Sequence, residues 1–165
     1  MERFWNIIHY FVYRAFYKFH LFFNKINPLL FLYKSPFGKR HFENLGIADP
    51  IDELNKTFKR PDIGISSIWA GGLMYCLVFT ILWGFENLYS AVILKYYNLN
   101  IYHFIFFVAM SFLVNHLLLF RHDKYLRYFK EFDKMQKQEI IKWGWISFMV
   151  VLSILFFIIG SFVVL

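Results

Sequence analysis

The sequence predicts an all-α integral membrane protein. It has three transmembrane helices plus an N-terminal and an inter-span amphipathic interfacial helix. Three observations carry this. Of 165 residues, 59% are hydrophobic, 24% aromatic and only 18% charged. Three apolar runs are each long enough to cross a bilayer, which takes about 20 residues. The Lys and Arg residues collect in the segments on one side of those runs. A soluble domain is about 45–50% apolar and about 25% charged, and a chain of 20.1 kDa cannot bury the excess in one globular core. The same composition excludes disorder, collagen and disulfide scaffolds. Cys76 is the single cysteine, so neither an internal disulfide nor a multi-cysteine metal site is available.

The first run covers residues 65–94 with Glu86 as its only formal charge, the second 102–120 and the third 143–165, the last two without charge. Ten Lys and Arg precede the first run, Lys95 alone lies between the first and second, and seven lie between the second and third. Cytoplasmic segments gather Lys and Arg. This places the N-terminus and the second connection in the cytoplasm, and the 95–100 connection and the C-terminus on the opposite side. The net charge of +7 then belongs to one face, which suits membrane lipids with anionic headgroups as partners. No motif points to nucleic acid, so none is expected. Residues 4–23 are apolar enough to suggest a signal peptide or fourth span. Arg14 and Lys18 interrupt them, each costing about 2.5–3.5 kcal/mol at mid-membrane.

The chain divides into an interfacial region 1–34, a linker with a short helix 35–64, and a transmembrane domain 65–165. Over 2–25, Arg3, Tyr10, Arg14, Tyr17, Lys18 and Lys25 share one helical stripe, and Phe4, Ile8, Phe11, Ala15, Phe19 and Phe22 another. Such a helix either lies in the membrane interface or packs on the rest of the chain. Residues 29–33 read as a further interfacial stretch and Ser35-Pro36-Phe37-Gly38 as a turn. Asp49 is the expected N-cap, with Pro50 at N1, of a helix running to Lys59.

The 121–138 segment reads as a cytoplasmic amphipathic helix. It lacks Gly and Pro, and its opposite charges Asp123–Arg127, Arg127–Glu131 and Asp133–Lys137 are four apart. The short return to the third run bends it along the surface, with Tyr125, Leu126, Phe129, Phe132 and Met135 facing down or against residues 2–25. Trp143 and Trp145 mark where the chain reaches the membrane again.

Small residues recur every four positions in the first run: Gly72, Cys76, Thr80 and Gly84, with Ser67 and Gly71 as a second pair. This spacing lets helix backbones approach closely in lipid, within the chain or between chains. Glu86 is an intramembrane polar candidate, protonated or paired across helices, if the span reaches Leu94; because the run exceeds the hydrocarbon thickness, the favoured reading puts it at the outer interface. Ser111 and Asn115, one turn apart with His116 adjacent, are intramembrane polar candidates. Arg14, Lys18, Lys25, Arg127, Lys130 and Lys134 form the lipid or partner surface. No catalytic, cofactor or metal motif is present.

These features point to a small non-enzymatic subunit or anchor of a membrane complex, as a homo-oligomer or hetero-complex. The alternative is a homo-oligomeric channel or membrane-perturbing effector, with Thr80, Glu86, Ser111 and Asn115 near a shared lumen. A lipid enzyme would need His116, His122 and Asp123 to cluster.

Overall fold

The computed structural model describes residues 1–27, 33, 35–95 and 100–164. Among them all regular structure is helical: α1 Glu2–Ile26, α2 Pro36–Asn44, α3 Pro50–Lys59, α4 Ile65–Tyr89, α5 Ile101–Asn115, α6 Lys124–Phe132 and α7 Lys137–Val164. Apart from Tyr33, the apolar 29–33 stretch lies outside the described residues, as do residues 96–99 of the first inter-span connection and Leu165. Three helical stretches are long and apolar enough to cross a membrane: Ile65–Leu94, Ile101–Phe132 and Lys137–Val164. Two compact units are present, Met1–Phe11 with Gly71–Leu165, and Val12–Ala70.

In the Val12–Ala70 unit, local chemistry sets the helix ends. Asp49 caps α3 as expected, accepting from the backbone N–H groups of Ile51 at 2.9 Å and Asp52 at 3.1 Å. The expected turn at 35–38 is instead the start of α2. Ser35 is its N-cap and accepts from the Gly38 N–H at 3.1 Å, and Pro36 fills the first turn. At Gly64 the chain folds tightly before α4. A Cβ there would overlap the Arg60 carbonyl and lie 2.7 Å from the Thr57 oxygen, so only glycine fits.

In the other unit α4 is the central helix, and its neighbours change along its length. Near the Lys- and Arg-rich end, Tyr75 packs on Phe112 and Phe120, with ring centroids at 4.6 and 5.6 Å. Gly71 admits the Phe120 ring. Toward the other end, Gly84 receives the Phe157 ring of α7, and Asn87 donates to the Ser161 hydroxyl at 3.1 Å. A Cβ on Gly84 would overlap that ring. Gly84→Ala is therefore expected to destabilise the protein by about 1–3 kcal/mol, as overpacked sites do. Thermal unfolding in mild detergent measures it, and an unchanged midpoint would show that Phe157 yields freely.

After Tyr89 the helix loosens into a π turn, Ser90–Leu94, and stops at Lys95 in the left-handed conformation (φ 57°). Asn100 and His103 form a reciprocal capping box at the start of α5.

The 121–138 segment is not one helix. The second span passes through a π turn, His116–Phe120, and then kinks at His122 (φ 57°) and Asp123 (φ 52°), both left-handed. α6 ends at Phe132, and α7 begins at Lys137, ahead of the apolar run that starts at 143. The break has no Gly or Pro to announce it. Tertiary contacts offset its backbone cost: Lys124 donates to the Leu117 carbonyl at 3.2 Å, and the α6 face described below is buried. Tyr125, Phe129 and Phe132 are buried, as the bent-helix reading expects.

Candidate functional site

A dense polar arrangement among the described residues lies where the first ten residues of α1, Glu2 to Phe11, meet the second span and α6. Trp5 donates its indole N–H to Asn115 Oδ1 at 3.0 Å. The Asn115 amide in turn donates to the Met74 carbonyl at 3.2 Å and to the Ser111 carbonyl at 2.9 Å. Asn115 thereby joins α1, α4 and α5 through one fully buried side chain. Asn6 donates to the carbonyls of Glu2 and Leu118, both at 2.9 Å. Leu118 sits in the π turn, so the turn presents its carbonyl sideways to α1 rather than only along its own helix.

His9 follows Asn6 by one turn and is also fully buried. The rings of Phe120, Tyr125 and Phe129 surround it, with centroids at 5.9, 5.6 and 5.2 Å. Neither ring nitrogen has a hydrogen-bond partner among the described residues, and neither does Asn6 Oδ1. Burial pushes the imidazole down from 6.5 to about 3, so His9 is neutral at physiological pH.

Charged contacts rim this interior. Glu2 accepts from Lys124 at 2.6 Å and Tyr128 at 3.3 Å, and the Lys124 ammonium holds the Glu2 carboxyl below its ordinary range. Arg3 pairs with Glu131 at 2.9 Å, and Tyr10 donates to Asp133 at 2.6 Å. Two acids of the second connection thus turn toward α1. The exposed Arg3–Glu131 pair contributes little, about 0–1 kcal/mol. Buried aromatic packing and the Asn115 bonds hold α1 in place.

The sequence candidates distribute unevenly. Ser111 and Asn115 meet in this arrangement, and Ser111 donates back to the Phe107 carbonyl at 2.7 Å. His116 is exposed and apart from them, and His122 and Asp123 are exposed at the kink. Ser67, Gly71 and Gly84 are buried, Thr80 is half-buried, and Gly72 and Cys76 are exposed. Glu86 is half-buried, and the fully buried polar residue beside it is Asn87. Arg14 is half-buried. Lys18, Lys25, Arg127, Lys130 and Lys134 are exposed.

Sequence reasoning missed Trp5, Asn6 and His9. The available signal was two polar side chains, Asn6 and His9, one turn apart next to the apolar stripe of α1. It also missed a second polar cluster at the other end of the spans. There Trp83 and Asn87 of α4 and Ser90 of the π turn that follows share one face, and Asn87 bonds Ser161. Asn87 Oδ1, Ser90 Oγ and Trp83 Nε1 are buried without a partner among the described residues. No group of three His, Cys, Asp or Glu gathers among the described residues.

A helical chain with three membrane-length apolar helices fits an integral membrane protein. No protein-family model, curated protein or solved structure matches it.

Proposed function

We propose that this protein is a small non-enzymatic membrane subunit or anchor that joins a larger complex through the outward faces of its spans. The carrying observation is the division of the small-residue row on α4. Gly71 and Gly84 receive Phe120 and Phe157 of the same chain, whereas a Cβ on Gly72 would meet nothing within 4 Å and Cys76 is exposed. In lipid, two small residues four apart on an open face permit close approach of a second helix. On the opposite side of α4, an apolar groove of about 570 Å³ opens between α4 and α7, lined by Ile81, Phe85, Trp145, Met149 and Phe157 among others. The exposed Arg127, Lys130 and Lys134 add a basic surface on and just after α6 for an acidic partner segment. The basic ends of the spans face the cytoplasm in this reading.

A pore is disfavoured by the use made of the polar groups. Ser111 and Asn115 direct their donors to carbonyls of their own chain, which leaves them little to offer a lumen.

The lone Cys76 supplies the test. Oxidative cross-linking in native membranes, followed by mass measurement in mild detergent, is expected to give a dimer or an adduct with one foreign protein. Gly72→Leu should abolish the product by filling the open face. A particle holding a single copy and no other protein would overturn the reading. A ring of many identical copies that conducts ions would replace it with the channel.

A further inference from the structure

We propose that the second half of α1 is an in-plane membrane anchor that binds anionic phospholipid headgroups through Lys18 and Lys25 and sets Phe19, Phe22, Phe23 and Ile26 into the lipid surface. This requires a bilayer around α4 but no protein partner, so it stands apart from the subunit reading.

The orientation of this half-helix is fixed from its opposite side. Tyr13 and Asn24, which lie on that side, are buried. Tyr13 donates to the Lys59 carbonyl, and Asn24 donates to the Asn55 side chain at 2.9 Å. That face therefore belongs to α3. What remains outward is Phe19 at 54%, Phe22 at 58%, Phe23 at 52% and Ile26 at 64% exposure, with Lys18 and Lys25 exposed among them. Their spacing keeps all six on one side of the helix. Four large apolar side chains grouped on one face form a patch that marks an interaction site.

The depth of the patch follows from its own unit. His20 Nδ1 lies 2.8 Å from the Ser66 hydroxyl. The Phe16 and Trp69 rings meet at 5.9 Å, and the His20 ring stacks on Phe58 at 4.8 Å. Ser66 and Trp69 belong to the first turns of α4, where a membrane-length apolar helix begins. Residues 16–20 thus lie beside the boundary where hydrocarbon would start. Aromatic and cationic side chains on one helix at that level match an interfacial helix.

Charge selects the lipid. Residues 3–42 contain seven Lys and Arg and no Asp or Glu. Lys18 and Lys25 form no ion pair with the described residues. A cationic segment of this kind at a bilayer surface attracts anionic headgroups.

The experiment uses the full chain with Cys76→Ser and Phe22→Cys, carrying an environment-sensitive fluorophore at position 22. It is reconstituted in vesicles of phosphatidylcholine alone or of an equimolar mixture with phosphatidylserine. The label is expected to be quenched by lipid-borne quenchers and shielded from aqueous iodide, more strongly with phosphatidylserine. Lys18→Gln and Lys25→Gln should each weaken that serine-lipid preference about fivefold, and the charge reversals Lys18→Glu and Lys25→Glu more than that, while Lys→Arg at the same sites retains it. A label at the exposed Lys39 is expected to remain open to iodide, which shows that the quencher reaches the reconstituted chain, and an unchanged thermal unfolding midpoint of each variant shows that the fold is kept. Free iodide access at position 22 in both vesicles would overturn the proposal. Shielding from iodide without lipid quenching would overturn it in favour of a protein on this face. Equal shielding in both lipids, unchanged by the charge reversals, would overturn the anionic selectivity.

Discussion

His9→Leu is expected to stabilise the protein by about 1–3 kcal/mol, the cost of burying a polar group without a hydrogen bond. The imidazole is fully buried among Phe120, Tyr125 and Phe129, and neither nitrogen has a partner among the described residues. Leucine supplies apolar contact at similar size. Thermal unfolding in mild detergent at pH 7.5 measures the gain, and a loss would show that the imidazole forms a bond important to the fold.

The same residue sets a pH response. Burial lowers the folded value from 6.5 to about 3. Below 6.5 any state that releases His9 takes up a proton that the packed state does not. The stability that depends on neutral His9 is therefore complete above pH 6.5 and declines as pH falls toward 3. The decline is about 1.4 kcal/mol per pH unit, or tenfold in the equilibrium. Glu2, lowered by Lys124 from an ordinary 4.5, acts only at lower pH, which leaves the window between 6.5 and 4.5 to the histidines. His20 is also pushed down by burial and retains a slope of its own. His9→Leu should thus reduce the slope between pH 6.5 and 5 without abolishing it, and an unaltered slope would assign the response elsewhere.

Asn115→Leu is expected to destabilise by about 1–3 kcal/mol, because the Trp5 indole N–H and the Met74 carbonyl each lose a partner in a buried setting. Comparable interhelical bonds average about 0.6 kcal/mol in membrane double-mutant cycles. A value above that average would come from the Trp5 indole N–H left unpaired, since the Met74 carbonyl keeps its bond within α4. The cycle with Trp5→Phe separates the two. Once the indole donor is gone, Asn115→Leu should cost less, with a coupling of about 0.5 kcal/mol or more. Hydrogen exchange over residues 2–11 provides the structural readout. Amide protection there should fall in Asn115→Leu, and unchanged protection would show that the bond does not hold α1.

The three membrane-length helices, the cap at Asp49 and the buried face of α6 were all legible in the chain. Each rests on a local pattern: an uninterrupted apolar run, an Asp-Pro pair, or aromatic residues at helical spacing. The turn assigned to 35–38 went astray because Ser-Pro serves equally as the start of a helix, and the partner of the Ser35 hydroxyl is a backbone N–H that exists only once the helix forms. The kink at His122 and Asp123 had no local signature. Both adopt a left-handed conformation, which His and Asp tolerate better than most residues but do not dictate, and Lys124 bonds the Leu117 carbonyl across the kink.

The candidate site was half legible. Ser111 and Asn115 stood out because polar side chains are costly within an apolar run. Trp5, Asn6 and His9 did not, since on an amphipathic helix polar residues are normal and nothing local says which face is covered. The alternation along α1 was likewise open: its stripe pattern suits lipid and protein equally. The sequence by itself determined that the chain is helical, carries three membrane-length segments and gathers its positive charge at one end, because length, hydropathy and charge are sums over neighbouring residues. Only the tertiary structure decided that Met1–Phe11 packs against the spans, that Phe19, Phe22, Phe23 and Ile26 are left exposed, that Asn87 rather than Glu86 is the buried polar group, and that Gly84 is used within the chain while Gly72 is open. Those choices depend on which distant side chain arrives at a given face, and side chains that share a helical period carry no record of it.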